Sequence, residues 1–158
     1  MKQRTTLFLK FSILLIGLFI LLSCIFWLPQ LAHSATKVNP EYRYLKYPVL
    51  VGIYVTSLPF FLSLVEAFTL LRTIERRTAF PEVAGSSLEI FQNYTYVIMG
   101  LYIFGLLFLG FQDALHPGIA IIGFSIIFAS LVIAVFSAIL QELLKTANEI
   151  KSENDLTV

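Results

Sequence analysis

The sequence predicts an all-α polytopic membrane protein: four transmembrane helices in one antiparallel bundle, the fourth helix extended past the lipid into water. Three observations predict it. Hydrophobic residues make up 58% of the 158 and charged residues only 13%, about half the charge of an ordinary soluble domain. A globule of this size could not hide so much apolar surface, so the bilayer is the expected solvent. Residues 119–140 form an uncharged apolar run, and roughly 20 such residues cross the hydrocarbon at about 1.5 Å each. The same stretch continues without Gly or Pro to about Lys151, which carries the helix out of the membrane.

The first span covers residues 7–28 behind Lys2, Arg4 and Lys10. A basic start and an apolar core also open a signal peptide, with Ala32-His33-Ser34 as its cleavage site, but the uncharged core of residues 11–28 is longer than most such regions and favours a retained anchor. Leu21-Leu22-Ser23-Cys24 has the letters of a lipoprotein box. More apolar chain follows it, Ile25-Phe26-Trp27-Leu28, where a polar tether would be needed. Pro29 is expected to end the span, and residues 30–47 to form a polar connection whose Tyr42, Tyr44 and Tyr47 join Trp27 in an interfacial belt.

The second span covers residues 48–71. Pro48 suits a first helical turn, whereas Pro59 falls inside, frees the carbonyl of Val55 and predicts a kink. Thr56 or Ser63 is the expected source of a compensating hydroxyl. A polar loop over residues 72–87 follows, with Ser86 or Ser87 capping the next helix. The third span covers residues 94–111. Six residues, Gln112 to Pro117, then link it to the fourth span at 119–140, so those two must be antiparallel neighbours. Ser130, Ala134 and Ala138 place small side chains on one face of the fourth, which lets another helix approach closely. All four spans read as one membrane domain, residues 1–158, with a helical tail over 141–151.

Eight of the eleven Lys and Arg fall on one side of this arrangement: Lys2, Arg4, Lys10, Arg72, Arg76, Arg77, Lys145 and Lys151. Lys37, Arg43 and Lys46 fall on the other. The positive-inside rule then places both termini and the central loop in the cytoplasm.

The net charge of +1 and the absence of a basic patch with interleaved aromatics argue against direct nucleic-acid binding. One cysteine excludes an internal disulfide, and His33 and His116 have no metal-ligand spacing around them. No nucleophile and base pair up and no Gly-rich phosphate loop is present, so neither an enzyme nor a cofactor is expected. Glu66 is the one carboxylate inside an apolar span. An ionisable group costs about 2.5–3.5 kcal/mol at mid-membrane, but Glu66 lies only six residues from Arg72 at the inner edge. Lys10, Tyr96 and Gln141 are its candidate partners from other spans. Beyond the fourth span Leu140, Leu143, Leu144, Ala147 and Ile150 recur at spacings of three and four, an amphipathic stripe that can pack on the loop, lie on headgroups or meet a protein.

Several strings resemble the YoaS-like family of small bacterial four-span membrane proteins of unknown function. They include Thr5-Thr6-Leu7-Phe8-Leu9-Lys10, Cys24-Ile25-Phe26-Trp27-Leu28-Pro29, Tyr44-Leu45-Lys46-Tyr47-Pro48-Val49-Leu50, Ile126-Ile127-Phe128-Ala129-Ser130 and the ending from Ile150 to Val158. Members of that family are commonly encoded beside a small helix-turn-helix protein, so the resemblance implies a membrane partner of a soluble DNA-binding regulator. Arg72, Arg76, Arg77, Glu153, Asn154, Asp155 and Leu156 are the candidate contacts, on a tail expected to order when it binds. The alternative is a small transporter or ion-coupled carrier centred on Glu66, working as a homo-oligomer because four spans enclose little volume.

Overall fold

The structure, a computed structural model, describes residues 3–76 and 80–156, and the side chains of 4–75 and 84–154. Its helices are α1 (Gln3–Leu22), a π-helical turn (Ser23–Trp27), α2 (Leu28–Val38), a 3₁₀ segment (Pro40–Leu45), α3 (Lys46–Arg76), α4 (Phe80–Phe111) and α5 (Pro117–Leu156). Four helices, over Arg4–Val38, Pro40–Glu75, Ala84–Phe111 and Pro117–Asn154, are long and apolar enough to cross a membrane.

Helix continues through Pro29, contrary to the expected stop. The π-helical turn makes this feasible by moving the backbone register by one residue, so that the amide of Leu28 bonds the carbonyl of Ser23. Pro29 then occupies the first turn of α2, where a missing amide hydrogen costs little. In the shifted register residue 29 would serve the carbonyl of Cys24, and proline has no hydrogen to give. The hydroxyl of Tyr54 on α3 donates to that carbonyl instead, at 2.9 Å. The helix ends at Asn39, whose φ of −126° and ψ of 80° lie outside the α region that the following Pro40 disfavours.

α3 runs unbroken past Pro59. The two hydroxyls expected to serve Val55 go elsewhere: Thr56 donates to the carbonyl of Gly52 and Ser63 to that of Phe60, each at 2.7 Å. The polar loop expected over 72–87 is also mostly helix. α3 continues to Arg76 and α4 starts at Phe80, so Ser86 and Ser87 lie inside a helix and cap nothing. Burial explains the difference, since Ala84, Ser87 and Leu88 are buried at helical spacing and their packing overrides the weak helix propensity of Gly85-Ser86-Ser87.

α4 ends in a tight cap. The amide of Ala114 reaches Leu109 and that of Asp113 reaches Gly110, the paired bonds of a Schellman motif. Asp113 takes the left-handed position, with φ of 53°. The turn ends where His116 caps α5, its Nδ1 accepting from the amide of Gly118 at 3.2 Å ahead of Pro117 in the first turn. Tyr42 donates to the carbonyl of Asp113 at 2.9 Å and Tyr44 to Gln112 Oε1 at 3.1 Å, so the 3₁₀ connection is fastened over this turn.

The spans pack in chain order: α1 on α3, α3 on α4, α4 on α5. Their interior mixes apolar side chains, Leu71, Leu88, Leu106 and Leu109 among them, with small polar ones. Buried positions include Thr6, Thr56, Ser63, Thr95, Ser130 and Ser137, while Phe104, Phe124 and Phe128 face outward. Lipid is as apolar as leucine, so small side chains that let backbones approach supply the contact area. On α5 the seam is Gly123, Ser130, Ala134 and Ser137; Ala138, expected on that face, is exposed because the seam drifts by one residue along the helix.

Candidate functional site

α3 and α5 both pack on α4 and leave between them a cleft of about 280 Å³. Glu66, Ala67 and Leu70 line its α3 wall, Ser87, Leu88 and Phe91 its floor, and Val132, Phe136 and Leu140 are among the residues of its α5 wall. The position of Glu66 follows from α3 alone. It lies on the helix face that also carries Leu70, one turn later, and both turn toward α4.

The three partners expected for Glu66 are all engaged elsewhere. Lys10 forms an ion pair and hydrogen bond with Glu75, and its ammonium lies 5.7 Å from the ring centre of Phe68. Gln141 donates to Gln92 Oε1 at 2.8 Å. Gln92 in turn donates to Tyr96 Oη at 3.0 Å and to the carbonyl of Ala134 at 3.3 Å. These exchanges have a geometric reason. Lys10 sits on α1, which packs on the face of α3 presenting Glu75, and Gln92 stands directly across the α4–α5 seam from Gln141. Gln92 is the residue that sequence reasoning missed. Its signal was an amide inside the third helix on the same face as Thr95, a position lipid would not tolerate.

Glu66 is half-buried, and no hydrogen bond or ion pair forms on it among the described residues. No group of three or more His, Cys, Asp or Glu able to hold a metal occurs among the described residues.

The second candidate surface is at the end that carries both termini. α5 is 40 residues long, about 60 Å, or twice the hydrocarbon thickness. Ser152 donates to the carbonyl of Glu149 at 2.8 Å and helix persists to Leu156, so the tail expected to order on binding is already helical over its described residues. Much of its apolar stripe is open: Leu143 is 61% and Ile150 62% exposed, and Ala147 is exposed as well, while Leu144 is half-buried. Arg72 and Asn154 are exposed, and Glu153 shares a shallow concavity with Ala147, Ile150, Lys151 and Asn154. Arg76 ends α3 and Asp155 and Leu156 end α5, but their side chains, and all of Arg77, lie outside the described residues.

Residues 30–158 match the model of a family described as protein of unknown function, DUF2975. An uncharacterized membrane protein of Bacillus subtilis (strain 168), YoaS, is 45% identical over 165 aligned residues that cover all of both chains. No solved structure matches.

Proposed function

Because the chain belongs to the DUF2975 family of membrane proteins of unknown function, we propose that it is a membrane-embedded regulatory partner, with α5 as the element that binds a soluble protein. One observation carries this reading. Beyond Gln141 a preformed amphipathic helix projects from the spans with Leu143, Ala147 and Ile150 uncovered. Anchors at such spacing fit the groove of a partner, and a helix already formed avoids much of the ordering cost of binding. The eight-to-three distribution of Lys and Arg supports a cytoplasmic placement of this end. The partner proposed is a soluble DNA-binding regulator, held at the membrane by α5 and by the basic edge at Arg72 and released when the packing of the spans changes.

A photo-crosslinker placed at Ile150 in otherwise intact cells tests the reading. The expected product is a soluble DNA-binding protein, lost when Leu143→Glu is added, with Lys151→Cys protected from a membrane-impermeant thiol reagent. Crosslinks only to lipid or to a second copy, or labelling of Lys151→Cys from outside, would refute it.

A carrier centred on Glu66 has the placement of that carboxylate beside a cleft in its favour.

A further inference from the structure

Resting on the reading of α5 as the element that binds a soluble protein, we propose the chemistry of that partner: an apolar groove with Lys or Arg side chains along one rim. The groove covers Leu143, Ala147 and Ile150, and its cationic rim meets the row of Glu142, Glu149 and Glu153.

The projecting part of α5 is not evenly polar around its stripe. Helix is continuous to Leu156, so at 3.6 residues per turn its surface divides into three sectors. Gln141 points at α4, where it bonds Gln92, and Asn148, two turns on, shares that side. Leu143, Ala147 and Ile150 make up the exposed apolar sector. Glu142, Glu149 and Glu153 are seven and four residues apart, fall together in the third sector and are all exposed. Thr146 lies between them and the stripe.

Charge follows these sectors. Lys151 stands on the other side of the stripe, beside Leu144 and toward α4. Lys145 borders the glutamate row on the side away from the stripe, one turn before Glu149, and forms no ion pair with it. A protein seated on the stripe therefore has two edges. α4 flanks the near one, and at the far one the partner meets carboxylates. An acidic rim would be repelled there, and an apolar one would strip water from charges without replacing it. A cationic rim gains modestly from each pair where water reaches it, and it fixes which way the groove lies along α5. The same row disfavours lipid as the occupant, because the cytoplasmic leaflet carries a negative surface potential.

The test places the photo-crosslinker benzoylphenylalanine in the full chain in intact cells, at Ile150, at Thr146 beside the glutamates, or at Asn148 on the α4 side. One soluble protein should be captured from Ile150 and from Thr146, and at least about threefold less of it from Asn148. Mass spectrometry should find Lys or Arg in the partner peptide joined at Thr146. Glu142→Gln together with Glu149→Gln should lower capture from Ile150 about threefold to tenfold, the loss of two water-reached charge pairs. Glu142→Lys with Glu149→Lys should abolish it, whereas Lys145→Glu should leave it unchanged or raise it. Circular dichroism of the purified variants shows whether each is folded. Capture that is lost with Leu143→Glu but unchanged in the folded double lysine variant would overturn the cationic rim and leave α5 as the binding element. Equal capture from Asn148 and Thr146 would do the same. Crosslinks to lipid alone, to a second copy alone or to nothing would overturn both.

Discussion

α1 and α5 are made from nearly the same apolar residues and each ends the row of spans, yet one is loosely held and the other is locked onto its neighbour. Over its most apolar stretch the α1–α2 helix buries no residue at all, and Leu7, Leu14, Leu18 and Phe19 are all more than half exposed. α5 buries Gly123, Ser130, Ala134 and Ser137 along α4 and ties itself there through Gln141. Leucine does not draw helices together in lipid. Small residues that permit close approach do, together with polar side chains that lipid cannot satisfy.

Two insertions of equal size should break the comparison open, and their effect is the largest expected. A Cβ at Gly123 would stand 2.7 Å from Leu106 Cδ2, and Leu106 is itself buried in the seam. Gly123→Ile should cost about 1–3 kcal/mol, the usual range for overpacking. The matching position on the loose helix is Gly17, where a Cβ would stand 3.2 Å from the tip of Leu64. Gly17→Ile should cost less than half as much, because α1 can tilt away into lipid. Unfolding of both variants in mixed micelles, followed by circular dichroism, measures the difference. Equal losses would mean that α1 is held as firmly as α5.

The same contrast explains which parts were legible in the sequence. Four spans, their order and the length of α5 follow from apolar runs and from a six-residue turn, because hydropathy depends only on the bilayer. The ends of the helices do not. Pro29 looked like a stop since sequence carries no sign that a π-helical turn would absorb it, with Tyr54, 30 residues away, answering for the carbonyl of Cys24. Gly85-Ser86-Ser87 looked like a loop because the burial of Ala84 and Leu88 is supplied by other helices. Glu66 stands out in the sequence as a carboxylate inside an apolar span, but its neighbours do not. Pairing depends on which faces meet, and Gln92, the residue that took Gln141, carries no charge to draw attention.

A middle-sized effect is expected where polar groups hold α4 to α5. Gln141→Leu removes the donor to Gln92 Oε1, and interhelical hydrogen bonds in membranes are worth about 0.6 kcal/mol on average and up to about 1.7. Gln92→Leu should cost more, since Gln92 also bonds Tyr96 and Ala134 and its loss strands Gln141. A double-mutant cycle read by the same unfolding assay should return a coupling near the single Gln141 value. A coupling of zero would assign the seam to its small residues alone.

The smallest effect belongs to the tie on the loose side. Lys10 and Glu75 form the one ion pair among the described residues, joining α1 to α3, with their side chains 20% and 33% exposed. Water reaches both groups, so the attraction is screened, and pairs of this kind contribute about 0–1 kcal/mol. Lys10→Met should lower stability by about 0.5 kcal/mol or less, and part of that is the lost cation contact with Phe68. Raising the salt concentration should shrink the difference between Lys10→Met and wild type, whereas the Gln141→Leu difference should not respond. A Lys10→Met loss as large as that of Gly123→Ile would reverse the ranking: it would make a charge at the membrane edge, and not the fit of small side chains, the main tether of a peripheral helix.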